Sequence, residues 1–156
     1  MKLLLTLLLL CSLASAQDWE RVESKDQLRG STGIGFYIEG SLPDTSFAVI
    51  CFDGKFDHVQ LKIDAVIDSS ADSLLGQRAK VHYKRDDEKP GTFMESVSKD
   101  GQAVEVGKHY SRKIISPTTR KLVIEVPRYV QSDAQITFTF PDFKRVAEAC
   151  HGLFKD

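Results

Sequence analysis

The sequence predicts a mainly β protein: an antiparallel β-sandwich or open barrel of seven to nine short strands, closed by a short C-terminal helix. Three observations lead there. Apolar and polar residues alternate with a period of two in several separate runs. Turn-forming pairs such as Asp53-Gly54 and Lys99-Asp100-Gly101 separate those runs. A helical period recurs clearly only near the end, so no long helices alternate with strands as a doubly wound fold requires.

The chain opens on a leader. Lys2 is followed by the apolar run Leu3 to Leu10 and by the small residues Ala14-Ser15-Ala16. This is the pattern of a secretory signal peptide, cleaved after residue 16. The apolar run is shorter than the roughly 20 residues that span a bilayer. Lipidation of Cys11 is the competing reading, but Leu10 stands where a small residue normally precedes a lipid-modified cysteine. Residues 17–156 are expected to form one domain, periplasmic or secreted, and 140 residues suffice for one apolar core. Removing Lys2 with the leader takes the net charge from -1 to -2, with the signs interspersed. That balance gives no reason to expect a nucleic-acid partner. No second apolar stretch has membrane length, so no stable membrane insertion is expected after cleavage.

The elements follow in order. Gln17 to Arg29 is polar, with Trp19, Val22 and Leu28 loosely spaced, and reads as a helical turn or a lead-in. Trp19 is expected to pack on the domain edge. Ile34, Phe36 and Ile38 share one face of a strand over 33–39, and Gly40 to Ser46 is a turn. Phe47 to Phe52 is nearly all apolar, as in a central strand. The Asp53-Gly54 turn leads into an arm where Val59, Leu61 and Ile63 point inward. Val66 and Ile67 continue the sheet or form a short strand, and Leu74-Leu75 covers a core edge. Ala79, Val81 and Tyr83 line another strand; 92–98 and 103–106 are two more. Residues 107–119 read as a loop with an apolar anchor or a short helix. Leu122, Ile124 and Val126 resume a strand that Pro127 ends. Ile136, Phe138 and Phe140 form one apolar row. Asp142 can cap a final helix whose Phe143, Val146, Ala147 and Cys150 share a face, and Gly152 can end it.

Two cysteines remain once the leader is removed. Export and an even count point to a structural disulfide between Cys51 and Cys150, tying the last helix to an early strand.

No residue pattern indicates an enzyme. Asp86, Asp87 and Glu88 read as a solvated turn. Asp68, Ser70 and Asp72 lack the glycine and terminal glutamate of a calcium loop. His58, His82, His109 and His151 stand at no metal-motif spacing, so no metal and no cofactor are expected. There is no Gly-x-Ser-x-Gly elbow, and Gly30, Gly33 and Gly35 precede a strand instead of joining a strand to a helix. The main local charge feature is Lys108, His109, Arg112, Lys113, Arg120 and Arg128, the candidate partner-binding group.

The order of several runs resembles the VasI-like accessory proteins of bacterial type VI secretion gene clusters, or a stand-alone exported relative of the same fold. The runs are Phe47 to Cys51 with Asp53-Gly54, Leu75-Gly76, and Val81-His-Tyr-Lys-Arg-Asp86. Phe93-Met-Glu-Ser96, Ser98 to Ala103, Leu122 to Val126, Ile136 to Phe140 and Phe143 to Cys150 complete the set. The chain departs from that pattern at Phe93-Met94 and around Pro127-Arg-Tyr129. The resemblance implies an exported β fold with the cysteine pair and no catalytic residue. The leading expectation is a non-enzymatic accessory or protein-binding protein, possessing a sheet face or strand edge for another envelope or secreted protein. One alternative is an inhibitor or immunity-type protein acting on a cell-wall hydrolase or toxin. Another is a small-ligand carrier with Phe36, Phe47, Phe52, Phe138 and Phe140 around a cavity.

Overall fold

The computed structural model describes residues 17–25, 30–72 and 76–155. The expected leader with Cys11, and the Leu28 and Leu74-Leu75 anchors, lie outside these residues.

The mainly β, antiparallel architecture with a short C-terminal helix, expected as a β-sandwich or open barrel, is what the chain forms, as one open sheet. Its strands are β1 (Glu20–Lys25), β2 (Thr32–Glu39), β3 (Ser46–Phe52), β4 (Lys55–Lys62), β5 (Ser70–Asp72), β6 (Gly76–Arg85), β7 (Gly91–Val97) and β8 (Ala103–Val106). A short helix, α1 (Lys108–Ile114), then leads to β9 (Lys121–Val126), β10 (Ala134–Thr139) and α2 (Lys144–Ala149). All pairings are antiparallel, in the order β1-β2-β3-β4-β8-β7-β6-β9-β10, with β5 beside β6 off that path. β1 and β10 do not pair, so the sheet stays open.

The sheet curls until its ends meet. Five strands separate β3 from β10 along the sheet, yet the Phe47 and Phe138 rings lie 5.6 Å apart, edge to face. The inward rows expected from the two-residue period all reach one core: Phe36 and Ile38, Phe47 and Val49, Val59 and Leu61, Ala79 and Val81, Leu122 to Val126, Ile136 to Phe140. Ser41, in the loop after β2, covers the outer edge of β10. Its amide donates to the Thr137 carbonyl at 2.9 Å and its hydroxyl accepts from the Thr137 amide at 2.9 Å.

Trp19 is 3% exposed and closes the seam from the other side. Its indole stacks 5.9 Å from Phe140 and meets the tilted Phe143 ring at 5.2 Å, and its Nε1–H donates to the Asp142 carbonyl at 3.1 Å. Such ring pairs contribute about 0.5–1.5 kcal/mol each beyond the area they bury. The stretch after Trp19 is a strand rather than a helical turn or loose lead-in. β1 runs past the core, so Arg21, Glu23 and Lys25, on the same side as Trp19, are solvated. Arg21 and Glu23 pair at 2.9 Å. Charges on the inward side of an edge strand discourage it from pairing with a foreign strand. They also erase the apolar alternation that would have marked it as a strand.

β3 and β4 join through Asp53-Gly54, whose φ angles of +48° and +74° suit the tight hairpin turn that matches strand twist. A bulge between Ile50 and Cys51 places Asp57 and His58 together on the outer side, where His58 Nδ1 lies 2.8 Å from Asp57 Oδ2. The extra residue turns both Phe56 and Val59 into the core.

Cys51 and Cys150 form the expected disulfide, with Cα atoms 5.7 Å apart and both residues fully buried. The main chain adds to this tie. His151 N–H donates to Gly54 O at 2.8 Å and Phe56 N–H to His151 O at 2.9 Å. α2 turns Phe143, Val146 and Cys150 inward as its period requires, but its N-cap is Phe143 and not the expected Asp142; Asp142 stands one residue earlier, where its Oδ1 accepts the Lys144 amide at 2.9 Å. Residues 107–119 contain the helical alternative of the two readings. α1 crosses the inner side with Ile114 buried and Ile115 buried just beyond it, and Tyr110 stacks on Phe93 at 5.7 Å. Val66-Ile67 adds no strand; Ile67 makes a single bridge to Arg128.

Two stability outcomes follow. Replacing both cysteines (Cys51→Ala with Cys150→Ala) is expected to lower unfolding free energy by about 3 kcal/mol, read by urea denaturation. Trp19→Ala is expected to cost about 3–5 kcal/mol by leaving a cavity among Phe47, Phe140 and Phe143, read by thermal melting with circular dichroism.

Candidate functional site

The candidate basic group occupies three places. Lys108, His109, Arg112 and Lys113 come together on α1. Arg112 turns toward the C-terminal segment, where Nη2 donates to the Gly152 and Lys155 carbonyls at 3.1 and 2.5 Å. Lys113 holds its ammonium 4.9 Å from the Tyr110 ring centre, and His109 meets the same ring edge-on at 5.0 Å. Arg120 lies before β9 and Arg128 after it, so about 26 Å of extended chain separates them. Arg128 is braced at the far end, by Nε to Ser132 O at 2.8 Å and Nη1 to Asp64 Oδ1 at 3.5 Å.

The polar residues set aside in the sequence have structural bonds of their own. Asp86 takes the Arg120 and Lys121 amides on one carboxylate oxygen, at 3.0 and 2.8 Å, and so fastens the β6–β7 turn to β9. Asp100 organises the β7–β8 turn. The Ser98 hydroxyl and the Gln102 amide hold its carboxyl below the usual carboxylate value. His82 and His151 are exposed on separate elements. Among the described residues no three His, Cys, Asp or Glu side chains group as metal ligands, and no helix is long and apolar enough to cross a membrane. Phe36, Phe47, Phe138 and Phe140 fill the core instead of lining a cavity, while Phe52 sits outside it.

That outward Phe52 belongs to a surface that sequence order hides. Strand register aligns Val22 with Gly35 and Ile50, and Gly33 with Phe52, on the outer side of β1, β2 and β3. Val22 and Phe52 are each 47% exposed, and Tyr37 and Ile50 are half-buried beside them. Two glycines make room for the rings. A Cβ at Gly33 would lie 3.2 Å from Phe52 Cε1, and one at Gly35 would lie 2.6 Å from the Tyr37 hydroxyl. Phe52 and Tyr37 therefore lie flat against the sheet and form, with Val22 and Ile50, an exposed apolar stripe.

The stripe runs into a groove of about 960 Å³ between the start of β1 and the 40–46 loop. Tyr37, Leu42 and Pro43 line it together with Asp18, Glu20 and Glu39.

A third surface stands at the opposite end of β9. Val66, Tyr129 and Val130 are exposed, Val130 to 87%. The Tyr129 amide donates to Val66 O at 2.8 Å, which joins the two loops. Val130 has a φ of +63°, a costly conformation for a β-branched side chain. Only the even spacing of glycines in 33–35 and the Tyr-Val pair after Pro127 hinted at these surfaces in the sequence.

No protein-family model, curated protein or solved structure matches the chain. Val130→Gly is expected to stabilise the fold by about 1 kcal/mol, because glycine adopts this backbone without steric cost; chemical denaturation reads it.

Proposed function

We propose that the protein is a non-enzymatic, exported binding scaffold that presents the outer side of β1–β3 to another envelope or secreted protein. The observation that carries this reading is the apolar stripe of exposed Val22 and Phe52 with half-buried Tyr37 and Ile50, on the outer side of β2 and β3, whose inner sides are spent on the core. Rigid aromatic residues held against glycines lose little conformational freedom on binding, which favours a protein interface. The leader pattern of Lys2, Leu3 to Leu10 and Ala14-Ser15-Ala16 supports export, and so does an internal disulfide. An accessory role beside a type VI secretion apparatus rests on the resemblance of the sequence runs alone.

A second reading has its own observation. The braced, strained loop at Tyr129-Val130 has the form of an insertion wedge, as in an inhibitor or immunity-type protein that fills the cleft of a cell-wall hydrolase or toxin.

Crosslinking pull-downs from envelope extract separate the two. Wild-type protein is expected to enrich a specific partner that Val22→Asp and Phe52→Ser each lose by about tenfold, the effect of removing a central interface side chain. Enrichment that survives both changes but is lost with Val130→Asp assigns the function to the loop.

A further inference from the structure

We infer that the groove beside the stripe takes an extended, lysine- or arginine-bearing segment of the partner protein. This rests on the sheet-face reading and names the chemistry that the face recognises. The groove's charge is one-sided. Asp18, Glu20, Glu39 and Asp44 line it against the single ammonium of Lys62, whereas the whole chain carries a net charge of -1. Asp18 is partly engaged: one carboxylate oxygen accepts the Trp19 amide at 2.7 Å, and the other lies 3.9 Å from Arg145. Glu20, Glu39 and Asp44 have no ion-pair partner among the described residues. Val22, Tyr37, Leu42 and Pro43 supply apolar wall between these carboxylates, beside the uncharged polar Gln17, Ser41, Thr45 and Ser46.

A long basic side chain fits that combination. Its methylene stem covers apolar surface while its charged head reaches the carboxylates. The Tyr37 ring, held in place over Gly35, offers a π face to the same cation. An anionic ligand meets like charge. A neutral glycan satisfies the ring but leaves the carboxylates without a counter-charge. The groove's volume is at the upper end of the range of roughly 300–1,000 Å³ for ligand pockets, room for several side chains.

The test uses the oxidised protein labelled with ¹⁵N and three probes: a short peptide alternating lysine and valine, its glutamate–valine counterpart, and an N-acetylglucosamine oligomer. The lysine peptide is expected to shift the amides of Tyr37, Gly40 and Asp44, and the other two probes to leave them in place. Binding should fade at high salt, where the Debye length falls to about 3 Å. Glu39→Gln with Asp44→Asn is expected to weaken it about fivefold. Asp87→Asn with Glu148→Gln removes equal charge elsewhere and should keep wild-type affinity. Unmoved groove amides, a response to the glycan or the acidic peptide instead, or wild-type affinity in the Glu39/Asp44 variant would overturn the inference. Partner capture that needs Phe52 but not Glu39 and Asp44 sinks the groove and leaves the sheet-face reading standing. Peptide binding intact with capture indifferent to Phe52 removes the sheet-face reading instead.

Discussion

The fold depends on how an open sheet is kept curled. Its first and last strands do not share a hydrogen-bond ladder, so closure has to come from elsewhere. Ser41 bonds the edge of β10 at Thr137, and the rest comes from the two ends of the chain. Cys150 is bonded to Cys51, His151 exchanges main-chain bonds with the hairpin at Gly54 and Phe56, and Trp19 packs against the Phe140–Phe143 pair. A cross-link over 99 residues restricts the unfolded chain strongly, and α2, with six residues, is too short to persist alone. The sulfur bond and the aromatic cluster thus act on the same seam from opposite ends of the sequence.

Closing the sheet in this way has a consequence for function. Every inward row but that of β1 beyond Trp19 is spent on one core, which leaves the outer side as the surface for the proposed recognition. On most outer positions the strands carry lysines, glutamates, threonines and serines. The exception is β1–β3, where glycines at 33 and 35 let two aromatic rings lie down on the sheet. An ordinary side chain at either position would lift the ring away and break the stripe. The flat rings and the carboxylates at the groove adjoin one another on the outer side of β1–β3, and the proposed contact with a basic segment rests on that combination.

Much of the architecture was legible in the residues. Inward rows such as Val59-Leu61-Ile63 and Ile136-Phe138-Phe140 obey the two-residue period because one side of each strand is buried. Cys51 and Cys150 could be paired by count and by their positions on apolar faces. β1 was not legible, because a strand with both sides in water shows no alternation. Phe56 was missed because a bulge shifts its side chain, and a bulge leaves no mark on composition. The surfaces were harder still. Val22, Tyr37, Ile50 and Phe52 lie on three strands, and only register makes them neighbours. The basic residues showed the reverse: close in sequence from 108 to 128, they are split by the length of β9, so that only those on α1 stay together.

Amide hydrogen exchange on the oxidised protein tests the closure of the sheet most directly. The Phe56 and His151 amides, which join the hairpin to the C-terminal segment, should exchange only through global unfolding, as slowly as those in the centre of β3. Rapid exchange at Phe56 and His151, with β3 still protected, would mean that the chain's end opens independently and is not what holds the sheet closed.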